Sequence, residues 1–123
     1  MEVADAGNDR RRTLRVATHI DVDYRTEGTY LFASITDISA MGIFVRTDDP
    51  LPQGTRLELR FEPPALPGVV AGPPLVLLGE VVWVTFDEHC GMGVRFLEVA
   101  KGDQERLLEL VRAIAYLDDR SAN

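Results

Sequence analysis

Residues 19–24, HIDVDY, put Ile20, Val22 and Tyr24 on one side of an extended chain and His19, Asp21 and Asp23 on the other. A period of two is the pattern of a half-buried strand; a helix would scatter the same side chains around its circumference. The pattern recurs along the chain. LFASITDI follows the turn-forming EGT, then come GIFVRT, RLELRF with Leu57, Leu59 and Phe61 on one face, LVLLGEVVWV, and MGVRFL after the turn-prone DEHCG. Six short strands separated by turn signals have the spacing of an antiparallel barrel or sandwich, so the expected fold class is all-β. At 123 residues the chain has room for one domain that buries its own core.

The period changes near the C-terminus. Over residues 103–117, DQERLLELVRAIAYL sets Leu107, Leu110, Val111, Ile114 and Leu117 on one helical face, with Asp103 expected as the N-cap after Gly102. The expected architecture is a small six-stranded antiparallel β-barrel with a C-terminal α-helix over residues 10–117, flanked by disordered tails at 1–9 and 118–123. The uncharged stretch 63–79 is broken by prolines at 63, 64, 67, 73 and 74, so it supplies a loop over 63–74 and no membrane span. Phe32, Phe44, Phe61 and Trp83 occupy apolar strand positions and are expected in the core.

Charge narrows the function. The formal net charge is -7, which argues against broad DNA or RNA binding, because that relies on a basic surface releasing counterions from many phosphates. A single-stranded nucleic-acid binder would also need aromatic platforms among basic residues. One cysteine, Cys90, permits no intrachain disulfide, and the N-terminus lacks the apolar run of a secretory signal, so a cytoplasmic setting is expected. No phosphate loop, nucleophile elbow, zinc-protease helix or paired-cysteine motif occurs, and an enzyme is not expected. His89 and Cys90 are adjacent, point to opposite faces if extended, and have no second ligand pair, so no metal site is expected.

Two features stand out against this background. In RRRTLRV, residues 10–16, Arg11 and Arg15 are four apart and lie on one side of the chain whether it is extended or helical. Guanidinium groups suit bidentate contacts to phosphate oxygens or to the O6/N7 edge of guanine. A solvated arm pairing with the protein's own acids is the competing reading of this motif alone. In DISAMG, residues 37–42, Asp37 and Ser39 share a face while Ile38 points the other way. The carboxylate can accept from guanine N1 and N2 or orient an arginine, the hydroxyl can donate or accept, and Gly42 permits a positive φ or a close backbone approach. A plain hairpin explains the same residues.

Taken in order, RxxxR at the entry to a small barrel and DxSxxG one strand pair later resemble the PilZ domain, the bacterial receptor module for cyclic di-GMP. GEVVWV and GMGVRF resemble the last two strands of that family, so the likeness covers about residues 10–99. The resemblance implies that Arg11 and Arg15 grip phosphates and guanine edges while Asp37, Ser39 and Gly42 shape the pocket around one guanine. Arg10 and Arg12 are additional cations, Arg10 being placed to help hold a stacked nucleotide dimer. Binding would itself be the signal, passed by a conformational change to an effector protein, with no cofactor beyond the ligand cyclic di-GMP. The alternative within the family is a nucleotide-independent adaptor.

Overall fold

The computed structural model describes residues 14–122. Six strands run in chain order: β1 (Arg15–Thr26), β2 (Thr29–Ser39), β3 (Gly42–Arg46), β4 (Arg56–Phe61), β5 (Leu75–Thr85) and β6 (Gly91–Leu97), followed by one helix, α1 (Lys101–Ala122). All pairings are antiparallel, and the sheet closes in the order β1-β2-β3-β6-β5-β4. Closure removes the exposed strand edges that would otherwise template aggregation. The barrel and terminal helix expected from the alternating sequence are present.

The inward residues account for the strands. Ile20, Val22, Tyr24, Ile35, Ile38, Ile43, Val45, Leu57, Leu59, Phe61, Leu75, Leu77, Val81, Met92, Val94 and Phe96 form one buried cluster. Each such side chain contributes roughly 1.5 to 3 kcal/mol on leaving water, and the β-branched ones also prefer extended backbone. The β1–β2 hairpin turns through Glu27 and Gly28, both at positive φ (51° and 84°), which matches the twist of the flanking strands.

Helix α1 packs against β1 and β2 and buries Leu107, Leu110, Val111 and Ile114. It starts earlier than the N-cap expected at Asp103: the Gln104 N–H donates to the Ala100 carbonyl at 2.9 Å, leaving Asp103 inside the first turn. An acidic side chain there favours the positive end of the helix dipole. The helix also continues to Ala122, through the segment expected as a disordered tail from 118. No glycine or proline interrupts residues 118–122, so nothing in the chain breaks the ladder at Leu117. The proline-rich loop over 63–74 is tied to the helix: Arg106 donates to the Pro73 carbonyl at 2.6 Å, and Val70 N–H donates to the Glu109 carboxylate at 3.3 Å. Among the described residues no helix is long and apolar enough to cross a membrane.

Three irregularities in the ladders set which side chains face outward. In β2 the register against β3 shifts between Ile35 and Asp37, so Thr36 is an extra residue. In β1 it shifts against β2 between Ala17 and Ile20, and in β5 it shifts against β6 between Val81 and Trp83. An extra residue exchanges inside for outside along the rest of the strand.

Candidate functional site

The β2 bulge decides the orientation of Asp37. Ile35 faces the core, and strict alternation would send Asp37 the same way; with Thr36 inserted, Ile38 takes the core position and Asp37 turns outward. Register then brings the two sequence motifs together, because β1–β2 pairing sets Arg15 opposite Ser39 and Ala17 opposite Asp37. The Arg15 guanidinium contacts the Asp37 carboxylate, Nε to Oδ2 at 3.1 Å, and donates to Ser39 Oγ at 3.2 Å. Both charged side chains remain partly solvated, so the pair orients Arg15 more than it stabilises the barrel. The other carboxylate oxygen, Asp37 Oδ1, is buried without a hydrogen-bond partner among the described residues. An orphaned buried acceptor is costly, and it calls for a donor that a bound molecule would supply.

Ser39 is fully buried and holds the turn into β3. Its Oγ accepts from the N–H groups of Met41 (3.1 Å) and Gly42 (3.2 Å) and donates to the Gly42 carbonyl (3.3 Å). Ser39→Ala strands two backbone donors, that of Gly42 buried and that of Met41 partly so. We expect a loss of about 1 to 3 kcal/mol, read as a lower urea midpoint with an unchanged slope.

Gly42 is not needed for a positive φ; its role is contact. It faces Arg95 across the β3–β6 ladder, and a Cβ there would collide with the Val94 carbonyl oxygen and lie 3.2 Å from the Arg95 Cα. The close approach comes from the neighbouring strand's backbone. Arg10, Arg11 and Arg12 lie outside the described residues.

Arg15 and Asp37 form one wall of an open cavity of about 420 Å³, whose remaining lining is Thr36, Phe44, Arg46, Trp83, Thr85, Asp87 and His89. Trp83 and Phe32 correct the expectation that all four of Phe32, Phe44, Phe61 and Trp83 lie in the core. Phe44 and Phe61 are buried, but Trp83 is 48% and Phe32 77% exposed. Trp83 is turned out by the extra residue Val82, which gives the inner position to Val84; Phe32 alternates with the inward-leaning Leu31, Ala33 and Ile35.

Glycines prepare the surface on which Trp83 rests. Phe44 on β3 and Trp83 on β5 both pair with Gly93 on β6, and a Cβ on Gly93 would run into the indole. A Cβ on Gly91, two residues away on the same face, would strike the Phe44 ring. The two aromatic rings therefore close over the bare strand and stack, with centroids 5.2 Å apart and planes inclined by 25°. Sequence reasoning missed this platform, although the GMG spacing on a strand was a usable sign: two glycines on one face leave room for neighbouring rings to lie flat.

The rest of the rim is polar. Arg46 has no ion-pair partner among the described residues. In the turn from β5 to β6, Asp87 accepts from the His89 N–H at 2.9 Å, and that bond, with help from the Thr85 hydroxyl, holds the carboxyl below its ordinary range. His89 and Cys90 form no metal cluster with other residues among those described. Cations, a flat aromatic face and a buried acceptor on one cavity suit a planar, anionic molecule carrying N–H donors.

Comparisons with known proteins agree with this fold. The family model for the PilZ domain matches residues 9–113. The inhibitor of motility MotI/DgrA from Bacillus subtilis superposes with a TM-score of 0.71 at 25% identity, over 90% of this chain and 53% of that one, so the chain spans about half the length of that protein. The PilZ domain of YcgR from Escherichia coli, solved with cyclic di-GMP, gives a TM-score of 0.67 at 14% identity, covering 92% of this chain and 97% of that one. A tetrameric PilZ protein from Xanthomonas campestris, self-assembled through a helical bundle, gives 0.61 at 14% identity, covering 98% and 97%. No curated protein matches the chain in sequence.

Proposed function

The chain belongs to the PilZ domain family, and we propose that it is a bacterial cytoplasmic receptor for cyclic di-GMP, without enzymatic activity, that reports the bound messenger to an effector protein. The observation that carries this reading is the cluster at the cavity wall, where Arg15 is aimed by Asp37 and Ser39 while one buried oxygen of Asp37 has no donor among the described residues. The family's two motifs contribute in different ways. Arg15 and Arg11 neutralise the phosphates and contact guanine edges, with Arg10 and Arg12 adding charge. Asp37 takes the N1–H and N2–H donors of one guanine, and Ser39 and Gly42 hold the turn that keeps Asp37 in place. The YcgR domain, solved with the same nucleotide, supports the reading.

Binding does the work here through differential contacts. A dianion neutralises the arginine cluster and satisfies the buried acceptor, which favours one arrangement of the surface around the cavity over others; an effector that distinguishes the two arrangements then reads the messenger. The test is calorimetry with the purified chain. A dissociation constant of about 0.1 to 10 micromolar is expected, roughly 7 to 9.5 kcal/mol. Cyclic di-AMP should bind far more weakly at equal salt, since only its base edges differ. Trp83 is the only tryptophan and lines the cavity, so its fluorescence should report the same titration. Absence of heat and of any fluorescence change at a hundredfold excess over that range moves the chain to the nucleotide-independent adaptor reading.

A further inference from the structure

The outer face of the β1–β2 hairpin carries two aromatic rings that line no part of the Arg15–Asp37 cavity. Phe32 is 77% and Tyr30 53% exposed, and both stand on the outward face of β2, two residues apart. Register sets Asp23 of β1 opposite Phe32 and Arg25 opposite Tyr30. The four side chains make two rows about 7 Å apart, Phe32 beside Asp23 and Tyr30 beside Arg25, on strands about 5 Å apart. Arg25 is held from both sides: its Cζ lies 5.3 Å from the centre of the Tyr30 ring, and it bridges Glu58 at 3.4 Å. Asp23 has no ion-pair partner among the described residues. Exposed aromatic rings beside arginine are enriched at protein interfaces over the rest of a protein's surface.

We infer that this face is a dimer contact whose partner is a second copy of the same chain. Its pattern is complementary to itself. A half-turn about an axis lying in the face, perpendicular to the strands and midway between the rows, exchanges the rows and keeps β2 over β2 and β1 over β1. Phe32 then meets the partner subunit's Tyr30, Asp23 meets the partner subunit's Arg25, and symmetry makes each contact twice. A half-turn about an axis parallel to the strands would instead press the Asp23 carboxylate onto a phenyl ring, whose face is itself negative, so the row exchange is the favoured arrangement. Twisted strand pairs diverge on either side of such a crossing, which leaves Asp21 and Glu27, a step further out along the hairpin, apart. The contact is remote from the cavity, since Asp23 lies eight residues beyond Arg15 on β1, roughly 25 Å away. It therefore leaves the cavity open and holds whatever the cavity binds.

Sedimentation equilibrium of the full chain tests this. Reversible dimerisation is expected, the mass approaching twice the 13.7 kDa of the chain. The dissociation constant should be on the order of 10 to 100 micromolar, as suits a small contact. Phe32→Glu places a carboxylate against an aromatic ring at both ends of the interface. It should weaken the dimer at least about a hundredfold while the thermal melt stays as in wild type, because the ring it removes is exposed. The charge pair is tested by exchange. Asp23→Arg sets arginine against arginine and Arg25→Asp sets acid against acid, so each variant alone should be monomeric. Mixed in equal amounts they should form a heterodimer within about tenfold of wild-type affinity, because every charge again meets its opposite. Rescue confined to the mixture shows the two positions meeting between chains, which a role inside one chain cannot imitate. Four outcomes each overturn the proposal: a wild-type chain still monomeric at about 500 micromolar, a Phe32→Glu dimer as tight as wild type, single charge variants that dimerise like wild type, or a mixture that stays monomeric.

Discussion

Arg15→Ala should bind cyclic di-GMP at least about a hundredfold more weakly than wild type, since each charged hydrogen bond lost contributes roughly 1.5 to 3 kcal/mol and the guanidinium offers more than one. The barrel should hardly notice the change. Arg15 is the first residue of β1 and its side chain is partly solvated; its ion pair with Asp37 is of the surface kind that contributes about 1 kcal/mol or less. Ser39 also keeps both backbone donors of its turn. Titration calorimetry and a thermal melt on one preparation separate the two effects. A variant with wild-type affinity and a cooperative melt removes Arg15 from the site.

Gly42→Val should do the opposite, damaging the fold first and binding as a consequence. The added Cβ meets the Val94 carbonyl, a backbone atom in the β3–β6 ladder that has no rotamer to escape into. Overpacking against fixed backbone costs about 3 kcal/mol or more, which for a domain of this size lowers the melting temperature by roughly 10 to 15 °C. A contrast comes from Gly28, whose φ is +84° but where a Cβ meets nothing within 4 Å. Alanine there pays only the left-handed backbone strain of about 1 to 2 kcal/mol. Melting curves for the two variants side by side check the distinction, and a Gly42→Val protein as stable as wild type would show that β3 and β6 can separate without penalty.

These two variants divide the motifs into chemistry and scaffold, a division the sequence suggested only in part. DxSxxG names three residues in one breath, yet Ser39 and Gly42 are buried parts of a turn and a strand contact, whereas Asp37 is partly open to the cavity. The hairpin explanation of that motif holds at Ser39 and Gly42, and it leaves Asp37 on the cavity as the residue whose role binding measurements decide.

Much was legible in the chain itself, and for a simple reason. Alternation of apolar side chains is a local property, so Ile20, Val22 and Tyr24 or Leu57, Leu59 and Phe61 specify a strand and its buried face wherever the partner strand lies. The helix face of Leu107, Leu110, Val111 and Ile114 is local in the same sense. Charge against an acidic background, and the spacing of Arg15, Asp37, Ser39 and Gly42, marked the first wall of the cavity through the family resemblance they carry. The place of Trp83 on the same cavity was beyond such reasoning. Alternation continued through Leu75, Leu77 and Val81 assigns Trp83 to the core, and only the pairing of β5 with β6 reveals the extra residue, Val82, that turns the indole out. Asp37 reaches the outer surface by the same device in β2. A bulge is a mismatch between two strands, so it belongs to neither strand's sequence alone. The inside-or-outside choice at Asp37 and Trp83, and with it the cavity between them, exists only once the barrel has closed.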